Sequence, residues 1–175
     1  MINSRSFDLD SVRENEDRIF EHIGRFTVLA AHVDQKLSVL LAWMTGAADR
    51  KAAQRIFEGE QVSTKVRLLK RALPDDWPDK KRLLVAVDTI QKYRNSLTHS
   101  TVHSLLTVET GDVNYVKKRE YQGGQIDVID LAELKTRELR VSMLDASLLT
   151  LTGTFLCNHD IRDVDLRTLC FSGET

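Results

Sequence analysis

The sequence predicts an all-α protein: an antiparallel bundle of four or five helices with a β-hairpin inserted before the last helix. Three observations carry that prediction. Long stretches step their apolar residues by 3 and 4, the period of one helix face. The breaks between them are short and rich in Gly, Pro and Asp. One segment of different texture, rich in Val, Thr and Tyr, interrupts the pattern only once. The chain has 175 residues, enough for one domain with a sizeable core.

The first helix runs from about Asp10 to Met44. Ile19, Ile23, Phe26, Ala30, Val33, Leu37, Leu40 and Met44 form its stripe, and Phe20, Val28, Leu29 and Leu41 widen it, so it lies against more than one neighbour. "TGAADRKAAQRIFEGEQ" reads as a turn and a short helix closed by Gly59. "VSTKVRLLKRAL" is a second short helix, with Val62, Val66, Leu69 and Leu73 inward, and it stops at "PDDWP". From Asp79 to about Ser100 a further helix carries Leu83, Leu84, Val87, Ile90 and Leu97. Residues of about 102–129 then read as the hairpin, with "TGD" and "GG" as turns and a third short strand at "QIDVI". Asp130 and Glu133 form an Asp variant of the capping box. They open a helix bearing Leu134, Val141, Leu144, Leu148, Leu151 and Phe155. The tail, about 158–175, is polar and reads as loosely held. Trp43 and Trp77 flank turns as plugs at the bundle ends.

Composition narrows the function classes. Twenty-five Lys and Arg against 26 Asp and Glu give a formal net charge of −1, so binding to nucleic acid must rest on a local patch. Cys157 and Cys170 have neither metal nor disulfide-framework spacing and read as reduced thiols of a cytosolic protein. The polar start is no signal peptide, and no apolar run is long enough to cross a bilayer. No G-x-S-x-G nucleophile motif and no phosphate-cradling glycine loop occurs.

One stretch resists a purely structural reading: "QKYRNSLTHS", residues 91 to 100. At 100° per residue, Arg94 falls about 20° from Leu83, inside the apolar stripe, while Asn95 and His99 lie on its border about 120–160° away. A buried arginine needs a partner, and Glu21 and Asp34 of the first helix are the candidates. A histidine in the last turn is favoured by the helix dipole alone.

"RNSLTH" in a helix of an antiparallel bundle resembles the signature of the HEPN superfamily, an Arg followed after four to six residues by a His, commonly with a polar residue such as Asn directly after the Arg. Arg94, Asn95 and His99 match the four-residue form. The resemblance implies a metal-independent endoribonuclease, with no cofactor, acting as a toxin or defence effector. It implies a homodimer through the motif helix, RNA as substrate, and an antitoxin or regulatory protein as a further partner. His99 would move protons, Arg94 would hold the phosphate, and Asn95 would orient the ring or bind a phosphate oxygen. A subgroup with nucleotidyltransferase antitoxins carries a tyrosine two positions after the His; here Thr101 stands there. Outside the motif, His103 reads as structural or a peripheral contact. Lys117, Lys118 and Arg119 read as a solvated edge strand, with contact to RNA phosphates as the other reading. "KVRLLKR", Lys65 to Arg71, reads as a solvated basic face. The alternatives to a ribonuclease are a non-catalytic nucleotide- or RNA-binding module and a helical dimerisation protein in which Arg94 is structural.

Overall fold

The computed structural model describes residues 9–107, 112–119, 126–157 and 159–166, without the side chains of 9, 11, 101, 103–107, 112–114, 117–119 and 126. Five helices are α1 (Leu9–Met44), α2 (Arg50–Glu58), α3 (Val62–Ala72), α4 (Lys80–Thr98) and α5 (Leu131–Leu156). Between α4 and α5 lie β1 (Ser100–Thr107), β2 (Asp112–Arg119) and β3 (Ile126–Val128), an antiparallel sheet in the order β1-β2-β3. The predicted all-α bundle with a hairpin before the last helix is therefore observed, third strand included, with α4 antiparallel to its neighbours α1 and α5, which themselves run parallel.

The apolar stripes meet in one core. Phe26, Val33, Leu37 and Leu40 of α1 pack with Leu69 of α3, Leu83, Val87 and Ile90 of α4, and Val141, Leu144, Leu148 and Leu151 of α5. Ser38, Ser147 and Thr152 enter the core because each hydroxyl donates to the carbonyl four residues back, which leaves no polar group unsatisfied. Phe20 and Val28 do not widen the buried face of α1; they are 47% and 55% exposed, on the side away from Phe26.

Two side-chain pairs show the direction of the outer helices. His22 meets Glu138 and Lys36 meets Asp145, so residue numbers rise together and α1 and α5 run the same way. α4 runs against both. Trp77, just before its start, donates to the carbonyl of Val164 beyond α5, whereas Tyr93 near its end meets Phe26 and Arg137. The sheet is held to the start of both outer helices by a small cluster of Ile19, Tyr115, Ile129 and Leu134, with the Tyr115 hydroxyl donating to the Val12 carbonyl at 2.8 Å.

Local signals behave as their chemistry requires, with exceptions. Asp49 and Asp130 cap α2 and α5 by accepting from the backbone N–H of Ala52 and Ala132. Glu133 does not complete a capping box, because its carboxylate is drawn onto Arg137. The turn after α1 depends on Gly46 at φ 62°, a conformation that costs a side chain strain.

Two further expectations need correction. The tail is not loosely held through residue 166. A 3-10 turn, Ile161–Asp163, places Ile161 and Leu166 in the core, and the Leu166 N–H donates to Asp79 Oδ2 at 2.6 Å. Residues 167–175, Cys170 among them, lie outside the described residues. The basic face of α3 is not solvated throughout: Lys65 is 1% exposed, and its Nζ lies 2.5 Å from Asp34 Oδ1.

Candidate functional site

Arg94, Asn95 and His99 sit on the last two turns of α4 and are placed by its stripe. Leu83, Val87, Ile90 and Leu97 are buried, which turns Lys81, Val85, Asp88, Lys92, Asn95 and His99 to solvent on the opposite side. Arg94 is half-buried. Its two sequence-derived partners are engaged elsewhere: Glu21 holds Arg25, an i,i+4 pair at 2.5 Å, and Asp34 holds Lys65. Among the described residues the Arg94 guanidinium therefore has no ion-pair partner, and its Nε is held away from water without an acceptor.

His99 is exposed and caps α4, its backbone N–H bonding to the carbonyls of Asn95 and Leu97. At φ −106° and ψ 22° it leaves the helix, and β1 begins at the next residue. Among the described residues no side-chain hydrogen bond joins Asn95 to His99; the Asn95 Oδ1 accepts from Gln91 Nε2 at 3.1 Å. Arg94 and His99 are five residues apart, about 140° around the helix, so within one chain they present to different sides.

Tyr93, one residue before the motif arginine, locks this helix end to the bundle. Its ring meets Phe26 edge-on at 5.1 Å between centroids, and the Arg137 guanidinium lies 4.0 Å over it, itself held by Glu133. Burial raises the Tyr93 pKa, opposed by the Arg137 charge and assisted by Glu133.

The sheet brings the remaining candidates near the motif in backbone register. Arg119 pairs with Ser100, directly after His99; Lys118 pairs with Thr101, Lys117 with Val102, and His103 with Val116. The side chains of His103, Lys117, Lys118 and Arg119 lie outside those described. The edge-strand rationale does not apply to Lys117 and Lys118, because β2 is the central strand and both residues also pair with β3.

A second feature escaped the sequence reading. An open cavity of about 280 Å³ lies along α1 and α5, lined by His22, Leu29, Lys135, Glu138, Leu139 and Ser142. His22 Nδ1 and Glu138 Oε2 are 2.6 Å apart there. Only the seven-residue spacing of His22 and Leu29 on one side of α1 hints at it, and nothing local points to Glu138. Among the described residues no three His, Cys, Asp or Glu side chains gather as metal ligands, and no helix is long and apolar enough to cross a membrane. Cys157 is an exposed free thiol.

Fold and site together define a class: a five-helix bundle with an inserted sheet, presenting at one helix end an exposed histidine and an arginine without an ion-pair partner among the described residues. Comparison with protein-family models, curated proteins and solved structures finds no match to this chain.

Proposed function

We propose that this protein is a metal-independent endoribonuclease of HEPN type, a toxin or defence effector, whose site forms between two copies of α4. The observation that carries the reading is Arg94. A structural arginine is expected to hold a carboxylate, and both candidate carboxylates are committed to other cations. A forked cation without an ion-pair partner, and an exposed imidazole on the same helix end, suit a phosphodiester once a second copy brings them together. The divergence of Arg94 and His99 within one helix favours a two-fold arrangement, in which the arginine of one copy reaches the histidine of the other.

In such a site the RNA 2′-oxygen attacks phosphorus as the bond to the 5′-oxygen breaks. One His99 accepts the 2′-hydroxyl proton, and the other, protonated, gives a proton to the departing oxygen. Arg94 neutralises the charge gathering on the non-bridging oxygens. Asn95, with its carbonyl occupied by Gln91, donates its amide to a phosphate oxygen and does not orient the ring.

The test is cleavage of RNA by the purified chain with separation of products. His99→Ala should lower the rate by about 10²–10⁴, Arg94→Ala should remove activity, and products should carry a 2′,3′-cyclic phosphate, with cleavage persisting in chelator. Light scattering should show a dimer. A monomeric wild type that cuts no RNA overturns the reading.

A further inference from the structure

Charge is unevenly distributed along the chain. Residues 50–72 hold seven Lys and Arg against two Glu, a net +5, which leaves −6 on the remainder of a chain of net −1. The structure sorts these cations. Lys65 turns inward to Asp34, and the Arg50 guanidinium lies 3.5 Å over the Trp43 ring. On α3, Arg67, Lys70 and Arg71 are all exposed. They fall within an arc of about 100°, opposite the buried Val62, Lys65 and Leu69.

Among the described residues none of the three forms an ion pair. Lys70 lowers the pKa of Asp75 only in small part, the main cause being the hydrogen bond from Lys80. Arg67 and Arg71 are i,i+4 neighbours of like charge, an arrangement that destabilises an isolated helix. No large apolar side chain is exposed on α3. A protein partner would ordinarily need an apolar anchor at the centre of its interface, and a membrane needs one to insert. A phosphate backbone needs neither: it binds through charge and the release of counterions.

We propose that the exposed face of α3, with Arg67, Lys70 and Arg71, is a docking rail for the backbone of single-stranded RNA, separate from the Arg94/His99 site. This rests on the reading of RNA as substrate. α3 carries no aromatic ring on which a base could stack, so the rail acts chiefly through phosphate contacts, which carry no sequence information.

The test measures binding of the full-length wild-type chain to a labelled 2′-O-methyl oligouridylate, which has no attacking hydroxyl, across a salt series. The variant Arg67→Gln/Lys70→Gln/Arg71→Gln should bind about tenfold more weakly at low salt. Its slope of log affinity on log salt should be shallower by about 2, since each single-strand phosphate contact contributes about 0.7. A control, Arg13→Gln/Arg18→Gln/Lys135→Gln, removes the same charge elsewhere and should change both far less. Equal losses in the two variants, or none in the first, overturn the rail. So does polyglutamate competing as well as RNA at equal charge, which would make the face a site for acidic peptides. Unmethylated RNA separates the two claims. Cleavage by the wild type with binding insensitive to α3 removes the rail and keeps the ribonuclease; binding through α3 without cleavage does the reverse.

Discussion

Asp34→Ala tests the ion pair that most distinguishes this structure from the sequence expectation. The substitution leaves Lys65, 1% exposed, without a partner at the α1–α3 contact. Removing one member of a buried pair costs about 3–5 kcal/mol, whereas replacing both with apolar groups is often neutral. Asp34 is 33% exposed, so water already screens its end of the pair and the lower figure applies, about 3 kcal/mol. With a urea m-value of about 2 kcal/mol/M, the unfolding midpoint falls by about 1.5 M. The melting temperature should fall by about 6–12 °C. Asp34→Ala with Lys65→Met should recover most of the loss, giving a coupling above about 1 kcal/mol, while Asp34→Ala and Arg94→Ala should add within about 0.5 kcal/mol. A midpoint shift below about 0.3 M, or coupling of Asp34 to Arg94 in place of Lys65, refutes the assignment of partners and restores Arg94 to a structural role.

Arg94→Ala should leave the melting temperature within a few degrees of wild type, measured by calorimetry, because no described carboxylate loses a partner. Ending the chain after Cys157 removes the burial of Ile161 and Leu166, so stability should fall by about 3–5 kcal/mol; in a Trp43→Phe background the fluorescence of Trp77, now 2% exposed, should shift to the red. Tyr93 has its pKa raised above the ordinary 10.0 by burial, so its stabilising contribution is full below that value and is lost as pH rises through the folded pKa. Urea midpoints should therefore decline at alkaline pH, and the decline should be shallower in Tyr93→Phe.

The helices were legible because their information is local. Ile19 to Met44 and Leu134 to Phe155 repeat at 3 and 4 over many turns, and such a stripe has few alternatives to burial. Lys65 was legible in part: it falls between Val62 and Leu69 on the inward arc, and only its charge argued for solvent. Which carboxylate would meet it depended on how α3 lies across α1, a long-range matter. The tail misled for the same reason, since Ile161 and Leu166 are isolated apolar residues in a polar stretch, and their burial is decided by Trp77 and Asp79 more than 80 residues earlier. At the motif, the sequence supplied the residue types, and the helix wheel supplied the divergence of Arg94 from His99. The Gln91–Asn95 bond, by contrast, rests on a choice of rotamers that no spacing reveals.

The most extensive contact between helices joins the first to the last, α1 to α5. The chain is made from its N-terminus at about 5–20 residues per second. α1 therefore leaves the ribosome, apolar stripe and all, and waits on the order of ten seconds for the segment that covers it. During that interval Phe26, Val33 and Leu37 are open to any holding chaperone or to a neighbouring nascent chain. Tyr93, which docks α4 between α1 and α5, cannot find its full seat until the same moment. The arrival of α5 thus decides when the Arg94/His99 end becomes rigid: α4 is made first, and part of what holds its end comes from a helix still to be synthesised.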